Sequence, residues 1–154
     1  MSFTQLAAAL QGKGWRLAVA ESCTGGLLAA SCTSLAGSSA WFYGGLVSYD
    51  NRAKMQWLGV SEEQLAEHGA VSLEVAQAMA QGLVSRSGVE LALSITGIAG
   101  PGGGSDTKPV GTVCFALQSP KACRVEQQQF EGDRAQVRAQ AVTHALQMLL
   151  HELQ

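Results

Sequence analysis

The segment RLAVAESCTGG, residues 16–26, decides the fold of this chain. The apolar run Arg16–Ala20 is typical of a buried strand, and Gly25-Gly26 opens a run of small apolar residues that extends to about Leu35. That second run predicts a buried helix. Glu21–Thr24 lie between the two and predict a strand-to-helix corner that carries an acid and adjacent candidate nucleophiles.

The corner has two interpretations from its residues alone. Ser22 or Thr24 can simply cap the helix, since Ser and Thr side chains accept hydrogen bonds from free N–H groups. Alternatively, Ser22 or Cys23 is a nucleophile, and a thiol is intrinsically the better one when its pKa is lowered. Glu21 can hold the corner by accepting backbone N–H bonds.

The elements on either side of the corner predict a layered α/β domain over residues 1–154 with a mixed sheet, because strands and helices alternate first and a hairpin comes late. The predicted helices are 3–13, 25–35, 52–58, 62–68, 72–87 and 133–153, with Asp50 or Asn51, Ser72 and Asp133 as N-caps. The predicted strands are 16–20, 41–49, 90–96, 112–118 and 124–130.

Composition excludes several functional classes. The 154 residues are 47% hydrophobic and 14% charged with a net charge of −2, which gives no basic footprint for nucleic acid. We see no apolar run of membrane-spanning length and no signal peptide, so we expect a cytoplasmic protein. The four cysteines form no C-x-x-C pair, and no metal site is expected. Cys32 and Cys114 are predicted to be small core residues.

Three unusual segments follow predicted strands, and the carboxyl ends of strands are where layered α/β folds collect ligands. They are Glu21–Gly26, Tyr49–Lys54 and the glycine-rich loop GIAGPGGGSDTKPVG at residues 97–111. A structureless loop of this length usually has a function. It contains neither the P-loop nor the dinucleotide-binding glycine pattern.

Several motifs together resemble the CinA carboxyl-terminal domain family. They are AESCTGG (20–26), AGSSAWF (36–42), SYDNRAK (48–54), HGAVS (68–72), ITGIAGPGGGSDTKPVGTV (95–113) and FEGDRAQVR (130–138). The resemblance implies a three-layer α/β/α fold, no metal or other cofactor, and often a homo-oligomer. It also implies hydrolysis of the small molecule nicotinamide mononucleotide to nicotinate mononucleotide and ammonia, in pyridine nucleotide recycling.

The resemblance assigns Ser22 as the nucleophile, with Tyr49 and Lys54 as the polar partners that activate it. The chemistry of the residues agrees, because a serine hydroxyl needs a neighbouring base and a desolvated lysine can serve as one. From sequence alone, Lys54 can equally be a solvated surface lysine, and Tyr49 a residue whose ring wedges a strand end.

The substrate's phosphate has two candidate cradles. One is Thr24 with Gly25 and Gly26, and the other is the loop Thr96–Gly104, with Arg134 or Arg138 as charge partner. We assign the oxyanion to N–H groups near Ser22 and the substrate's tail to the loop. Alternatively, Asp133-Arg134 only cap and decorate the last helix. Glu21 can hold the corner, but it can equally contact the ribose. The predicted substrate-binding residues are Glu21, Thr24, Gly25, Gly26, Thr96, Gly97, Gly100, Gly102 and Arg134.

A second hypothesis is a non-catalytic nucleotide-binding module that acts through a protein partner. The intact set of Ser22, Tyr49 and Lys54 separates the two hypotheses, because a pure binder has no need of it.

Overall fold

Five strands form one mixed sheet in the order β2-β1-β3-β4-β5. The computed structural model describes residues 1–154. β1 runs parallel to both β2 and β3, whereas β4 is antiparallel to β3 and to β5. The predicted mixed sheet is therefore confirmed. The strands are Leu17–Glu21 (β1), Phe42–Val47 (β2), Leu91–Gly97 (β3), Thr112–Gln118 (β4) and Cys123–Gln129 (β5).

Six α-helices cover the two faces of the sheet and make a three-layer α/β/α domain, as predicted. They are Phe3–Lys13 (α1), Leu27–Thr33 (α2), Asn51–Leu58 (α3), Glu62–His68 (α4), Leu73–Ser87 (α5) and Arg134–Leu153 (α6). Helices α1, α2 and α6 pack on one face, and α3 and α5 on the other, with α4 against α5. None of them is long and apolar enough to cross a membrane.

Polar caps begin most of the helices. The side chains of Asp50, Ser72 and Asp133 each accept a backbone N–H from the first turn of α3, α5 and α6. Asp50, rather than Asn51, is therefore the cap of α3. Asn51 is instead the first helical residue of α3.

The prediction of a buried helix from Gly25 is wrong in its start and in its burial. Gly25 and Gly26 have φ values of 58° and 101°, a left-handed backbone that cannot continue a right-handed helix, so α2 begins at Leu27. Only Leu28 and Cys32 of α2 are buried, because just one side of the helix touches the core. Cys32 and Cys114 are buried as predicted.

The parallel strands position the site. β1, β2 and β3 all run in the same direction, so the corner after β1, the Ser48–Lys54 segment after β2 and the loop after β3 meet at one edge of the sheet. β2 ends at Val47, two residues earlier than predicted, and Ser48 still donates its N–H to Glu21 on β1. This meeting of three segments is where a ligand is expected.

Candidate active site

A cavity of about 190 Å³ opens at this edge of the sheet. Six of the predicted site residues line it: Ser22, Tyr49, Lys54, Thr96, Gly97 and Arg134. The other lining residues are Cys23, Asn51, Ala70, Val71 and Ala99. Sites that enclose a whole drug-sized ligand usually measure about 300–1,000 Å³. The cavity therefore suits one ring of a ligand, with the remainder of that ligand at the mouth.

Ser22 and Lys54 are in direct contact at the bottom of the cavity. Lys54 Nζ lies 3.0 Å from Ser22 Oγ and donates to the carbonyl oxygens of Ser48 at 2.8 Å and Tyr49 at 3.0 Å. Lys54 is 1% exposed and Ser22 is 7% exposed. The interpretation of Lys54 as a solvated surface lysine is therefore wrong, because the side chain turns inward from α3 and loses its water.

Burial lowers the pKa of Lys54, and the nearby Asp50 and Cys23 offset only part of this effect. A neutral amine keeps two N–H groups and gains a lone pair. The two carbonyl oxygens of Ser48 and Tyr49 match those two donors, which leaves the lone pair directed at Ser22 Oγ. In that state the Ser22 hydroxyl donates to Lys54, as a nucleophile does to its general base.

Cys23 is the rival nucleophile at the same corner. Its side chain is buried, and burial raises the pKa of the thiol to about 11 despite the opposing effect of Arg138 and Lys54. Because the thiolate is the reactive form, a thiol with a raised pKa is a poor nucleophile near neutral pH. The surroundings of the corner thus favour Ser22 over Cys23.

Three backbone N–H groups that follow Ser22 in the chain are unused as donors to oxygen. The backbone N–H groups of Cys23, Thr24 and Gly26 donate to no carbonyl or carboxylate oxygen of the chain. The N–H of Gly25 is used within the turn, since it donates to the Ser22 carbonyl at 3.1 Å. Unused N–H groups next to a serine hydroxyl are what an oxyanion hole requires.

Glu21 holds the corner rather than facing the cavity. Its two carboxylate oxygens accept the N–H groups of Leu28 at 2.9 Å and Ala29 at 3.0 Å, and the side chain is buried. These bonds tie the end of β1 to the first turn of α2. The sequence left open that Glu21 holds the corner by accepting backbone N–H groups, and these two bonds agree with that role. A contact of Glu21 with the ribose stays a prediction.

The glycine-rich loop contributes one wall of the cavity through its first residues. Thr96 Oγ1 donates to the Ala70 carbonyl at 2.9 Å, and a Cβ on Gly97 would lie 3.1 Å from Cys23 Sγ. Gly100 and Gly102 do not line the cavity. Gly100 instead offers its carbonyl to Arg134 at 2.9 Å, whereas Gly102 is exposed.

Tyr49 and Arg134 meet at the mouth of the cavity. Tyr49 is 58% exposed, and Arg134 Nη2 donates to its hydroxyl at 3.5 Å. That hydroxyl is hydrogen-bonded to neither Ser22 nor Lys54. The Tyr49 carbonyl, by contrast, holds Lys54 Nζ, so the contact of Tyr49 with the base is made by its backbone.

The structure does not bring every predicted residue to the cavity, and it adds one polar residue. Thr24, Gly25 and Gly26 form the turn behind Ser22 without lining the cavity. Asn51 lines it although sequence reasoning did not select it. The sequence could have indicated Asn51, because it lies three residues before Lys54 and residues with this spacing share one side of a helix.

Comparisons with known proteins agree with this architecture. Residues 2–153 match the model of the CinA C-terminal domain family. The chain belongs to this family. Among curated relatives, the nicotinamide-nucleotide amidohydrolase PncC of Enterobacter agglomerans is 52% identical over 96% of this chain and 91% of its own length.

Other members of the family differ in length or have known structures. A CinA-like protein of Syntrophobacter fumaroxidans is 56% identical over 91% of this chain, which spans only 33% of that relative's length. The crystal structure of the competence/damage-inducible protein CihA from Agrobacterium tumefaciens superposes with a TM-score of 0.96 at 40% identity, covering 99% of this chain and 93% of that one. The fold is therefore that of the CinA family.

Proposed function

We propose that the protein hydrolyses the carboxamide of nicotinamide mononucleotide to nicotinate mononucleotide and ammonia, in pyridine nucleotide recycling. The observation that carries this proposal is the buried contact of 3.0 Å between Lys54 Nζ and Ser22 Oγ. The name of the PncC relative supplies the substrate class, and the cavity supplies a nucleophile and a base for amide chemistry.

In the first half of the reaction, neutral Lys54 takes the proton of Ser22 while Oγ bonds to the carboxamide carbon. The C–N bond then breaks, and Lys54 passes the proton to the departing ammonia. The pyridinium ring of the bound substrate adds a second cation near Lys54, which lowers the lysine pKa further. In the second half, water gives a proton to Lys54 and attacks the acyl carbon. The ester C–O bond then breaks, Lys54 returns the proton to Ser22 Oγ, and the carboxylate product leaves.

The free N–H groups of Cys23 and Thr24 support the developing negative charge on the carboxamide oxygen. One strong donor of this kind contributes roughly 3–4 kcal/mol to transition-state stabilisation. Neither N–H group donates to an oxygen of the chain, so neither has to break a hydrogen bond to an oxygen before the reaction.

The nucleotide tail extends from the cavity to its mouth. The volume of about 190 Å³ suits the pyridine ring alone, so the ribose and phosphate lie among the exposed groups outside. Arg134 is the cation at that position, held by the Gly100 carbonyl and beside the Tyr49 hydroxyl. We therefore assign the phosphate to Arg134 and the start of the glycine-rich loop.

Ammonia release from purified protein mixed with nicotinamide mononucleotide tests this proposal. We expect release by the wild type, near-complete loss in Ser22→Ala with substrate binding retained, and an active Cys23→Ala control. Inactivity of Cys23→Ala together with an active Ser22→Ala would reassign the nucleophile. Binding of the nucleotide by the wild type without any ammonia would instead support the non-catalytic module.

A further inference from the structure

Arg138 of helix α6 reaches across the fold to the corner that carries Ser22. Its Nη2 atom donates to the Thr24 carbonyl at 3.1 Å, between residues 114 positions apart in sequence. The same atom lies 3.4 Å from where a Cβ on Gly25 would be. Arg138 therefore connects the last helix to the turn that follows the nucleophile, through residues that do not line the cavity.

The corner needs such a restraint because of its two glycines. Gly25 and Gly26 follow Thr24 with positive φ values, and glycine is the residue with the greatest backbone freedom. Within the chain, the Thr24 carbonyl is held only by the N–H of Leu27 at 3.0 Å and by Arg138. This carbonyl belongs to the Thr24–Gly25 peptide in the middle of the turn, and the neighbouring peptides on either side carry the free N–H groups of Thr24 and Gly26. Fixing the carbonyl therefore restrains the peptides next to it.

The corner also contains buried polar atoms that the fold leaves unpaired. Thr24 Oγ1 and Arg138 Nε are both buried and have no hydrogen-bond partner in the chain. Leaving a buried polar atom unpaired costs free energy, so stability alone does not favour this arrangement. Each unpaired group of this kind in a native structure calls for an explanation, and a role in function is one of the known ones.

The charge of Arg138 acts on the corner. It lowers the pKa of Cys23, the residue next to Ser22, and so opposes part of the effect of burial. A cation behind the corner stabilises negative charge that develops in front of it. Arg138 thus combines a geometric and an electrostatic contact with one turn.

We propose that Arg138 is a positioning residue, which holds the Thr24 carbonyl so that the Ser22 hydroxyl and the free N–H groups are aligned for the transition state. This inference rests on the proposed amidohydrolase function. It also assigns Arg138 a role other than the phosphate partner that the sequence left open.

Arg138→Gln and Arg138→Lys test the proposal, with Arg124→Gln on β5 as the matched control. We expect Arg138→Gln to lower kcat by about 10- to 100-fold, since small misplacements at a reacting centre cost this much, with KM unchanged within about threefold. The kcat of Arg138→Lys should lie between those of the wild type and Arg138→Gln, because lysine keeps the positive charge and can donate one hydrogen bond. An aldehyde analogue that adds to Ser22 should lose affinity in proportion to kcat/KM.

Other results would overturn the positioning role of Arg138. If Arg138→Gln folds and its kcat is within about twofold of the wild-type value, the positioning role is overturned. If only KM rises, the positioning role is also overturned, and Arg138 is a substrate ligand instead. Rates are measured well below the melting temperature of each variant. If Arg138→Gln does not fold, the proposal requires that Arg138→Lys shows a lower kcat than the wild type. If neither folds, Arg138 is purely structural. An inactive wild type would refute the proposed function instead.

Discussion

Ser22 and Cys23 are adjacent, yet their surroundings give them opposite chemistry. The Ser22 hydroxyl faces the one buried lysine, at 3.0 Å, while the Cys23 side chain is enclosed beside Gly97. Burial without a base raises the pKa of the thiol, whereas a hydroxyl with a base needs no change in its own pKa. The intrinsic advantage of sulfur as a nucleophile is therefore lost at this position.

Gly97 is required by close approach, and its substitution gives a test at the level of one methyl group. A Cβ there would lie 2.8 Å from Val113 Cγ2, 3.0 Å from the Thr112 carbonyl and 3.1 Å from Cys23 Sγ. We expect Gly97→Ala to lower the free energy of unfolding by about 1–3 kcal/mol through overpacking, and to lower kcat/KM because the cavity wall moves.

Denaturant unfolding and ammonia release measure the two effects of Gly97→Ala. Gly12→Ala is the matched control, since its Cβ would meet nothing within 4 Å and it lies inside α1. That control should be as stable as the wild type or slightly more so. A Gly97→Ala variant with wild-type stability and rate would show that the wall accommodates a methyl group.

Sequence reasoning succeeded for residues whose roles depend on local motifs. The resemblance placed Ser22, Lys54 and Tyr49 together, and the structure brings all three to one cavity. It did not single out the corner contact of Arg138, because that side chain meets Thr24 only after α6 packs on α2. No spacing pattern in the sequence encodes a contact across 114 residues.

At the level of elements, Glu21 joins strand to helix. Its buried carboxylate accepts two N–H groups from the first turn of α2, so Glu21→Gln replaces one accepting oxygen by an amide that repels a donor. We expect the free energy of unfolding to fall by about 1–3 kcal/mol, and ammonia release to fall with it because the corner loosens.

Thermal or denaturant unfolding checks this expectation for Glu21. Glu90→Gln is the control, since Glu90 also accepts one backbone N–H, from Arg16, but at an exposed position. It should change the free energy of unfolding by less than about 0.5 kcal/mol. Equal effects of the two substitutions would mean that the Glu21 bonds add nothing beyond an ordinary surface contact.

The boundaries of elements were the least predictable feature, and α2 shows why. Small apolar residues from Gly25 onwards suit a helix in composition, but the turn that presents Ser22 needs two residues with positive φ first. Because of this turn, α2 begins two residues later than its composition predicts. Where no site intervenes, as in α1 and in β4, the predicted and observed bounds coincide.

At the level of the whole molecule, three segments that follow separate strands supply the site. The chain contains no group of three or more His, Cys, Asp or Glu side chains placed to hold a metal ion. We expect a chelator such as EDTA to leave ammonia release unchanged after prolonged incubation and dialysis. A loss of activity that added zinc or magnesium restores would contradict the lysine-assisted mechanism.

The family includes much longer proteins. In the Syntrophobacter fumaroxidans relative, the part that matches this chain is about a third of the length. The PncC relative is of nearly the same length as this chain. The matched domain is therefore the part that both kinds of protein share with this chain. The homo-oligomer implied by the resemblance and the cytoplasmic location expected from the sequence both stay predictions.

The central claim is that Lys54 acts as the base, and the pH dependence of kcat/KM in Lys54→Arg and Lys54→Ala tests it most directly. Burial lowers the pKa of Lys54, and only the neutral amine accepts a proton, so the wild-type rate should rise with pH through that lowered pKa and then level off. Arginine keeps the charge but stays protonated, so both variants should be nearly inactive at every pH. Substantial activity in Lys54→Arg, or a wild-type rate without this acid limb, would contradict the claim.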